Sequence, residues 1–357
     1  MQLSKAGRET MARIWQDAFR EARPIQATFE LTPRCGLNCR MCYVHLPANR
    51  IPKEEGQREL TAAEWLRIGE ETARMGVLQL CVTGGDPLCH PQFPKIWEEL
   101  SQMGFRITLQ TNGFSLTENL LELLERYPPQ EAKITLYGAS NEIYRQVCRV
   151  EGAFDRVDGG VQSLRELGIP IQMVTTFVKQ NLAEAQAIAD YARTHGSPEL
   201  PWYYSTACYP SLRGADSQVL ECALDPWTLG YAESTAQSWQ QEPFMRDDKK
   251  PCQYCKSYRT GYCVVWNGDM RFCMFLDEPR ISTLNQSLEE CWRQLLEFQE
   301  NLRWPTECYT CEIRDKCRRC VAHLACLNGG LGKLEQNYCE MVRKMLGEAP
   351  AAHEENK

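Results

Sequence analysis

Histidine is scarce in this chain, and so is any long apolar run. Five His stand among 357 residues, which turns metal chemistry away from imidazole ligands. No run of 18 apolar residues occurs, and no charged-then-apolar segment opens the chain. Neither a membrane-spanning helix nor a secretory signal is therefore expected. A basic balance is missing too: the formal charge is −7 and the pI near 5.5, which argues against a nucleic-acid or acidic-membrane partner. No internal repeat or low-complexity tract is present, so solenoid arrays are excluded. The expected location is cytoplasmic.

What is abundant is cysteine. Nineteen Cys in a chain of the reducing cytosol do not read as a disulfide framework. Metal ligation is the better account, and with so few His it points to iron–sulfur or Cys-only zinc sites. The length and the 43% hydrophobic content predict one large domain with a smaller one attached.

Strand-like apolar segments lie at 25–31, 77–83, 105–110, 132–137 and 171–178, with a weaker sixth near 201–205. Helical periodicity fills 4–21, 61–75, 92–103, 117–126, part of 141–167, and 182–194. Thr61-x-x-Glu64 forms a capping box at the start of the second helix. Six βα steps of about 30 residues fit right-handed crossovers in a parallel sheet. A doubly wound open sheet and a partial barrel both satisfy this pattern, and in both, ligands bind at strand ends. The expected partition is a helix at 1–24, the α/β unit at 25–208, and a connection at 209–249 with a helix at 226–240. A Cys-dense domain follows at 250–346, then a disordered tail at 347–357.

Three stretches carry chemistry. The first strand runs into Cys35-x-x-x-Cys39-x-x-Cys42. Three thiolates on one loop can hold three corners of a [4Fe–4S] cube and leave the fourth iron open. A zinc knuckle completed by His45 is the competing reading. Thr83-Gly84-Gly85-Asp86-Pro87 ends the second strand. Its glycines let backbone approach a ligand, and its acid can accept hydrogen bonds from an ammonium group; an ordinary Gly-Asp turn is the plain alternative. In the C-terminal third twelve residues separate Cys255 from Gly268, and four separate Gly268 from Cys273. Cys308-x-x-Cys311, five residues, Cys317-x-x-Cys320 and Cys339 follow. Paired Cys-x-x-Cys also fits a double zinc ribbon.

The first spacing, with Tyr43 beside its last Cys, resembles the signature of the radical SAM enzymes, and Gly84-Gly85-Asp86 resembles their GGE motif with Asp in place of Glu. The C-terminal pattern resembles the SPASM extension, with two residues between Cys317 and Cys320 where three are common. The resemblance implies an α/β fold, a partial (β/α)6 TIM-like barrel with a C-terminal Cys-rich SPASM domain. It implies S-adenosylmethionine (SAM) and three [4Fe–4S] clusters as cofactors, one of them on Cys35, Cys39 and Cys42. The implied SAM contacts are Tyr43, Gly84, Gly85, Asp86, Asn112 of Thr111-Asn112-Gly113, Thr135 and Arg149. Auxiliary cluster I falls to Cys255, Cys273 and Cys320, with Cys252, Cys263 or Cys326 as fourth ligand or an iron left open for substrate. Auxiliary cluster II falls to Cys308, Cys311, Cys317 and Cys339.

The implied activity is reductive cleavage of SAM to a 5′-deoxyadenosyl radical that abstracts hydrogen from substrate. The favoured substrate is a ribosomally made peptide that gains a thioether or carbon–carbon cross-link or a related oxidation. Action on a sugar or other small molecule is a second reading. A sulfatase maturase is disfavoured by Met274, where that group has Asp. A non-catalytic iron–sulfur electron carrier or a zinc-binding module is the alternative from another class. Expected partners are the peptide, an electron donor such as flavodoxin or ferredoxin, and a separate leader-binding protein, because about 24 residues precede the first strand. Of the remaining thiols, Cys81, Cys89, Cys148, Cys208, Cys222 and Cys291 read as small buried hydrophobes, with Cys89 and Cys208 near strand ends.

Overall fold

Large apolar residues recur at every second position of the parallel strands, and that alternation decides which face of the sheet the helices cover. The computed structural model describes residues 5–54, 57–206, 208–224, 255, 257–314, 317, 320–322, 325, 331, 334, 339–340 and 342–343. The helix expected at 226–240, Cys252, Cys326 and the tail lie outside these residues.

Helix α1 (Lys5–Glu21) leads into β1 (Gln26–Glu30). Helix α2 (Ala62–Arg74), β2 (Gln79–Thr83), α3 (Phe93–Gln102) and β3 (Arg106–Thr111) follow. Then come α4 (Glu118–Arg126), β4 (Glu131–Thr135), α5 (Asn141–Cys148), α6 (Ala153–Glu166) and β5 (Ile171–Thr176). The series closes with α7 (Ala185–His195), β6 (Tyr203–Ser205) and the short α8 (Val219–Cys222). β1 to β6 pair in parallel in chain order. The sheet is open, with β6 at one edge.

Ala27, Phe29, Leu80, Val82, Ile107, Leu109, Ala132 and Ile134 share one buried core with Trp65, Ile68, Ile96, Trp97 and Leu100 of the helices. Burial of an indole such as Trp65 or Trp97 contributes about 4–6 kcal/mol by area. The alternate positions Thr28, Cys81, Gln110, Lys133 and Thr135 are only partly buried; they form the polar other face. The capping box at α2 forms as the sequence predicts, with Thr61 and Glu64 exchanging side-chain and backbone hydrogen bonds.

The Cys-dense segment extends the same sheet. β7 (Gly261–Val264) pairs in parallel with β1, and β8 (Asp269–Arg271) and β9 (Ile281–Ser282) continue antiparallel. All four β7 residues are buried, yet the strand is too short to read from periodicity. β1 therefore lies inside the sheet between β2 and β7. Helix α9 (Leu288–Asn301) locks this extension to the first half. Trp292 Nε1 donates to Ala22 O at 2.9 Å, and Leu288 N to Glu71 Oε2 at 2.7 Å.

Candidate functional site

The pairing of β1 with β2 runs past both strand ends. Leu31 N donates to Thr83 O at 2.8 Å, Gly85 N to Thr32 O at 2.6 Å and Asp86 N to Arg34 O at 2.7 Å. A Cβ on Gly84 would stand 2.7 Å from Thr32 O, and one on Gly85 2.5 Å from Arg34 O. Only glycine permits that approach. The glycine pair thus seats the root of the Cys35–Cys42 loop against the turn after β2.

Three thiols gather on this loop, and backbone N–H groups point at them. Leu37 N donates to Cys35 Sγ at 3.4 Å and His45 N to Cys42 Sγ at 3.3 Å. Asn112 Nδ2 donates to Cys35 Sγ at 3.2 Å from the end of β3. Burial, and then Asp86 and the other two thiols, push the Cys35 thiol well up. Cys39 is raised first by its contact with Cys148 and then by burial, while the Tyr137 hydroxyl opposes the shift. Cys42 is pushed up to about 12 by burial and then by Cys39.

Thiols that raise one another, with N–H donors aimed at the sulfurs, make a set that a cationic centre would convert to thiolates. Three on one loop fit three corners of an iron–sulfur cube. Among the described residues, no three His, Cys, Asp or Glu close around a single metal ion; thiols at the corners of a cube stand further apart than that. His45 contributes its backbone N–H, and burial lowers the pKa of its ring.

The other residues expected at this site fall into two groups. Asn112, Gly84, Gly85 and Asp86 meet at the Cys loop. Asp86 is fully buried. Its carboxylate accepts from Thr111 Oγ1 at 2.9 and 2.8 Å, from Leu88 N at 3.1 Å and from Asn112 N at 3.2 Å. Burial lifts its pKa to about 6 against the pull of these bonds. The acid assigned by resemblance to an ammonium group thus spends its lone pairs inside the protein. Arg149, assigned to the SAM carboxylate, caps α5 at φ 58° and donates to Gln218 Oε1 at 2.6 Å. Arg40 holds the same amide oxygen at 2.8 Å. Thr135 ends β4, half-buried.

Tyr43 faces the C-terminal segment. Its hydroxyl donates to Met274 Sδ at 3.5 Å, and its ring meets Phe275 edge-on at 5.0 Å. Beside it lies a buried pair that the sequence reading missed. Arg213 donates to Glu30 Oε2 at 2.8 Å and to Met274 O at 3.2 Å, with its guanidinium 5.8 Å from the Tyr43 ring centroid. The two side chains are 3% and 0% exposed. Glu30 Oε1 and Arg213 Nε lack hydrogen-bond partners. Burial raises the Glu30 carboxyl against the opposing guanidinium groups of Arg213 and Arg271. Arg213 sits at φ 51°, a left-handed conformation kept only where surroundings over-determine it. Glu30 was visible as an acid closing an apolar strand; Arg213 carried no sequence signal.

Cys255, Cys263 and Cys320 lie near enough to Cys273 to act on it electrostatically. Burial pushes Cys273 well up, and then Cys263, Cys320 and Cys255 add to it. Cys255 is raised to about 11 by burial, with Cys320 contributing. Cys263, on β7, is raised to about 12 by burial and then by Glu30. Cys308 and Cys317 are buried, and Cys311 and Cys339 half-buried.

An open parallel sheet carries a three-thiol loop after its first strand and a glycine-acid turn after its second. Residues 29–192 match the Radical SAM superfamily, so the chain carries a radical SAM domain, followed by a Cys-rich C-terminal segment. It is 27% identical over 345 residues to an AdoMet-dependent heme synthase of Methanosarcina barkeri, covering 88% of this chain and 96% of that protein. It is 28% identical over 177 residues to a PqqA peptide cyclase of Ruegeria pomeroyi, covering 50% of this chain and 46% of that one. The chain thus spans about half the length of the cyclase. In fold it is similar to Streptococcus suis SuiB bound to the precursor peptide SuiA, with TM-score 0.67 and 15% identity over 93% of this chain and 80% of that one. The fold expectation holds: the sheet is α/β, parallel-dominated and not closed, as in a partial barrel.

Proposed function

We propose that this radical SAM enzyme abstracts hydrogen from a ribosomally made peptide, leaving a cross-link or a related oxidation. The observation that carries the reading is the loop of Cys35, Cys39 and Cys42, with donors on two of its sulfurs, seated against Gly84-Gly85-Asp86. A [4Fe–4S] cluster held by these thiols would supply the electron that cleaves SAM reductively. The chain's own part is to hold three thiolates in fixed register, donate N–H groups to them, and keep water from the cleft. Tyr43, Asn112 and Thr135 line the SAM side in this reading, Gly84 and Gly85 seat the Cys loop beside it, and Asp86 and Arg149 act from behind it. Cys255, Cys273, Cys320 and Cys263 would hold auxiliary cluster I; Cys308, Cys311, Cys317 and Cys339 would hold auxiliary cluster II. The units proposed remain the barrel at 25–208, the connection at 209–249 and the auxiliary-cluster segment at 250–346, whose β7 extends the barrel sheet beside β1.

The peptide assignment draws support from the cyclase relative and from the SuiB complex with its precursor peptide, whose fold this chain shares. An external flavodoxin or ferredoxin would deliver the electron, and a separate protein would bring the leader. A cytoplasmic location fits these partners; among the described residues no helix is long and apolar enough to cross a membrane. A second reading, a tetrapyrrole substrate, is favoured by one observation: the heme synthase match spans nearly the whole of both chains.

Anaerobic reconstitution followed by a reductant tests the core of the proposal. Wild type should release 5′-deoxyadenosine, and the triple Ala variant at Cys35, Cys39 and Cys42 should release none. Product formation by that variant would remove the site assignment. Deuterium transfer into 5′-deoxyadenosine from a labelled precursor peptide, compared with transfer from a labelled porphyrin, separates the two substrates.

A further inference from the structure

Asp86, the acid of the glycine-acid turn, does not reach outward: its carboxylate folds back onto the end of β3. Thr111 Oγ1 donates to both of its oxygens, and Asn112 N donates to one of them at 3.2 Å. The same turn fixes the Asn112 side chain. Phe114 N must donate, so the oxygen it meets at 2.8 Å is Oδ1. That leaves Nδ2 facing Cys35 Sγ at 3.2 Å. The amide orientation follows from the network. The residue is 7% exposed.

We infer that Asn112 is a positioning residue for the cluster: its amide donates to the Cys35 sulfur and raises the potential of the group bound there, while Asp86 holds that amide in place. This rests on the cluster assignment above. A hydrogen bond to a ligating sulfur disperses its negative charge and favours the reduced state. No electron or proton is transferred in this role. Gly85 N and Asp86 N bond to Thr32 O and Arg34 O, so the donor and the sulfur are anchored to the same pair of turns.

The test uses the full chain, anaerobically reconstituted. The cluster of interest is the one whose electron paramagnetic resonance signal changes when SAM is added. In Asn112→Ala its midpoint potential should move negative. A deuterium coupling introduced by exchange into D2O should also weaken. Asn112→Asp keeps the acceptor for Phe114 and removes the donor, so it should lose the same coupling where the Ala variant does not hold its cluster. In Asp86→Asn the same coupling should weaken, because Asn112 N loses its carboxylate acceptor. An unchanged potential and coupling in Asn112→Ala would overturn the inference, and an unchanged coupling in Asp86→Asn would remove the part given to Asp86. Failure of wild type to assemble any SAM-responsive cluster would instead remove the assignment on which the inference stands.

Discussion

Replacing Arg213 by Met isolates one interaction that holds the two cysteine-bearing segments together. The guanidinium touches Glu30 Oε2 and the Met274 carbonyl, and both side chains of the pair are buried. Without it, the Glu30 carboxylate would be a lone buried charge, and it escapes by taking a proton. At pH 7 that protonation costs about 1.4 kcal/mol for each unit between the pH and an ordinary Glu pKa of ~4.3, so at most about 4 kcal/mol, less the part the wild type already bears through its own raised carboxyl. Broken buried pairs in general cost about 3–5 kcal/mol. The direction with pH follows from the raised carboxyl. A group whose folded pKa lies above its unfolded value stabilises fully below the unfolded pKa, and loses that contribution as pH rises through the folded one. The gap between wild type and Arg213→Met should therefore shrink to about 1 kcal/mol at pH 5.

Urea denaturation of wild type, Arg213→Met, Glu30→Gln and the double variant at pH 7 and pH 5 measures this. The double variant should recover about half of the single variant's loss at pH 7, because no charge is stranded in it. Three results would refute the reasoning: a cost below about 1 kcal/mol for Arg213→Met, a gap that ignores pH, or a double variant no more stable than the single one. Iron retained after reconstitution gives a second readout, since Arg213 also lies over Tyr43 beside Cys42.

Gly85→Ala should cost about 1–3 kcal/mol and lower the iron retained, because its Cβ would press on the carbonyl of Arg34 beside Cys35; normal melting with full iron would count against the close approach. Glu64 is held down to about 2 by Arg58 and by the Thr61 cap, so it stabilises above an unfolded pKa of ~4.3 and loses that contribution as pH falls through the folded value. For a side chain 23% exposed, screening reduces this to about 1–2 kcal/mol, read as a wild-type advantage over Glu64→Gln that fades between about pH 5 and pH 2 in urea titrations. Cys263→Ser should remove about four irons per chain and leave 5′-deoxyadenosine formation measurable; unchanged iron content would assign the fourth place to another ligand.

The sequence revealed what repeats or clusters, and hid what is single and distant. The six parallel strands were legible because apolar residues at alternate positions, such as Ala27 and Phe29, or Leu80 and Val82, mark the face under the helices. The three-Cys loop and the glycine-acid turn were legible because their spacing is local. β7 was not, since Gly261–Val264 is four residues long and wholly buried, and neither period can register in so short a run. That strand matters to the site: by pairing with β1 it carries Cys263 to Thr28, two residues before the loop's root at Glu30.

The roles of individual side chains were the least legible. Gly84 and Gly85 read equally well as room for a ligand or room for backbone, and only the 2.5 Å approach to Arg34 O decides for backbone. Asp86 read as an acid free to face a ligand, but its oxygens close on Thr111 and Asn112 instead. Arg213 is separated from Glu30 by 183 positions, and nothing in its neighbourhood marks it as buried. The pair nevertheless joins the strand that launches the first cysteine loop to the residue that follows Cys273. The spacing of the two segments is thus set by this buried ion pair together with the β1–β7 ladder.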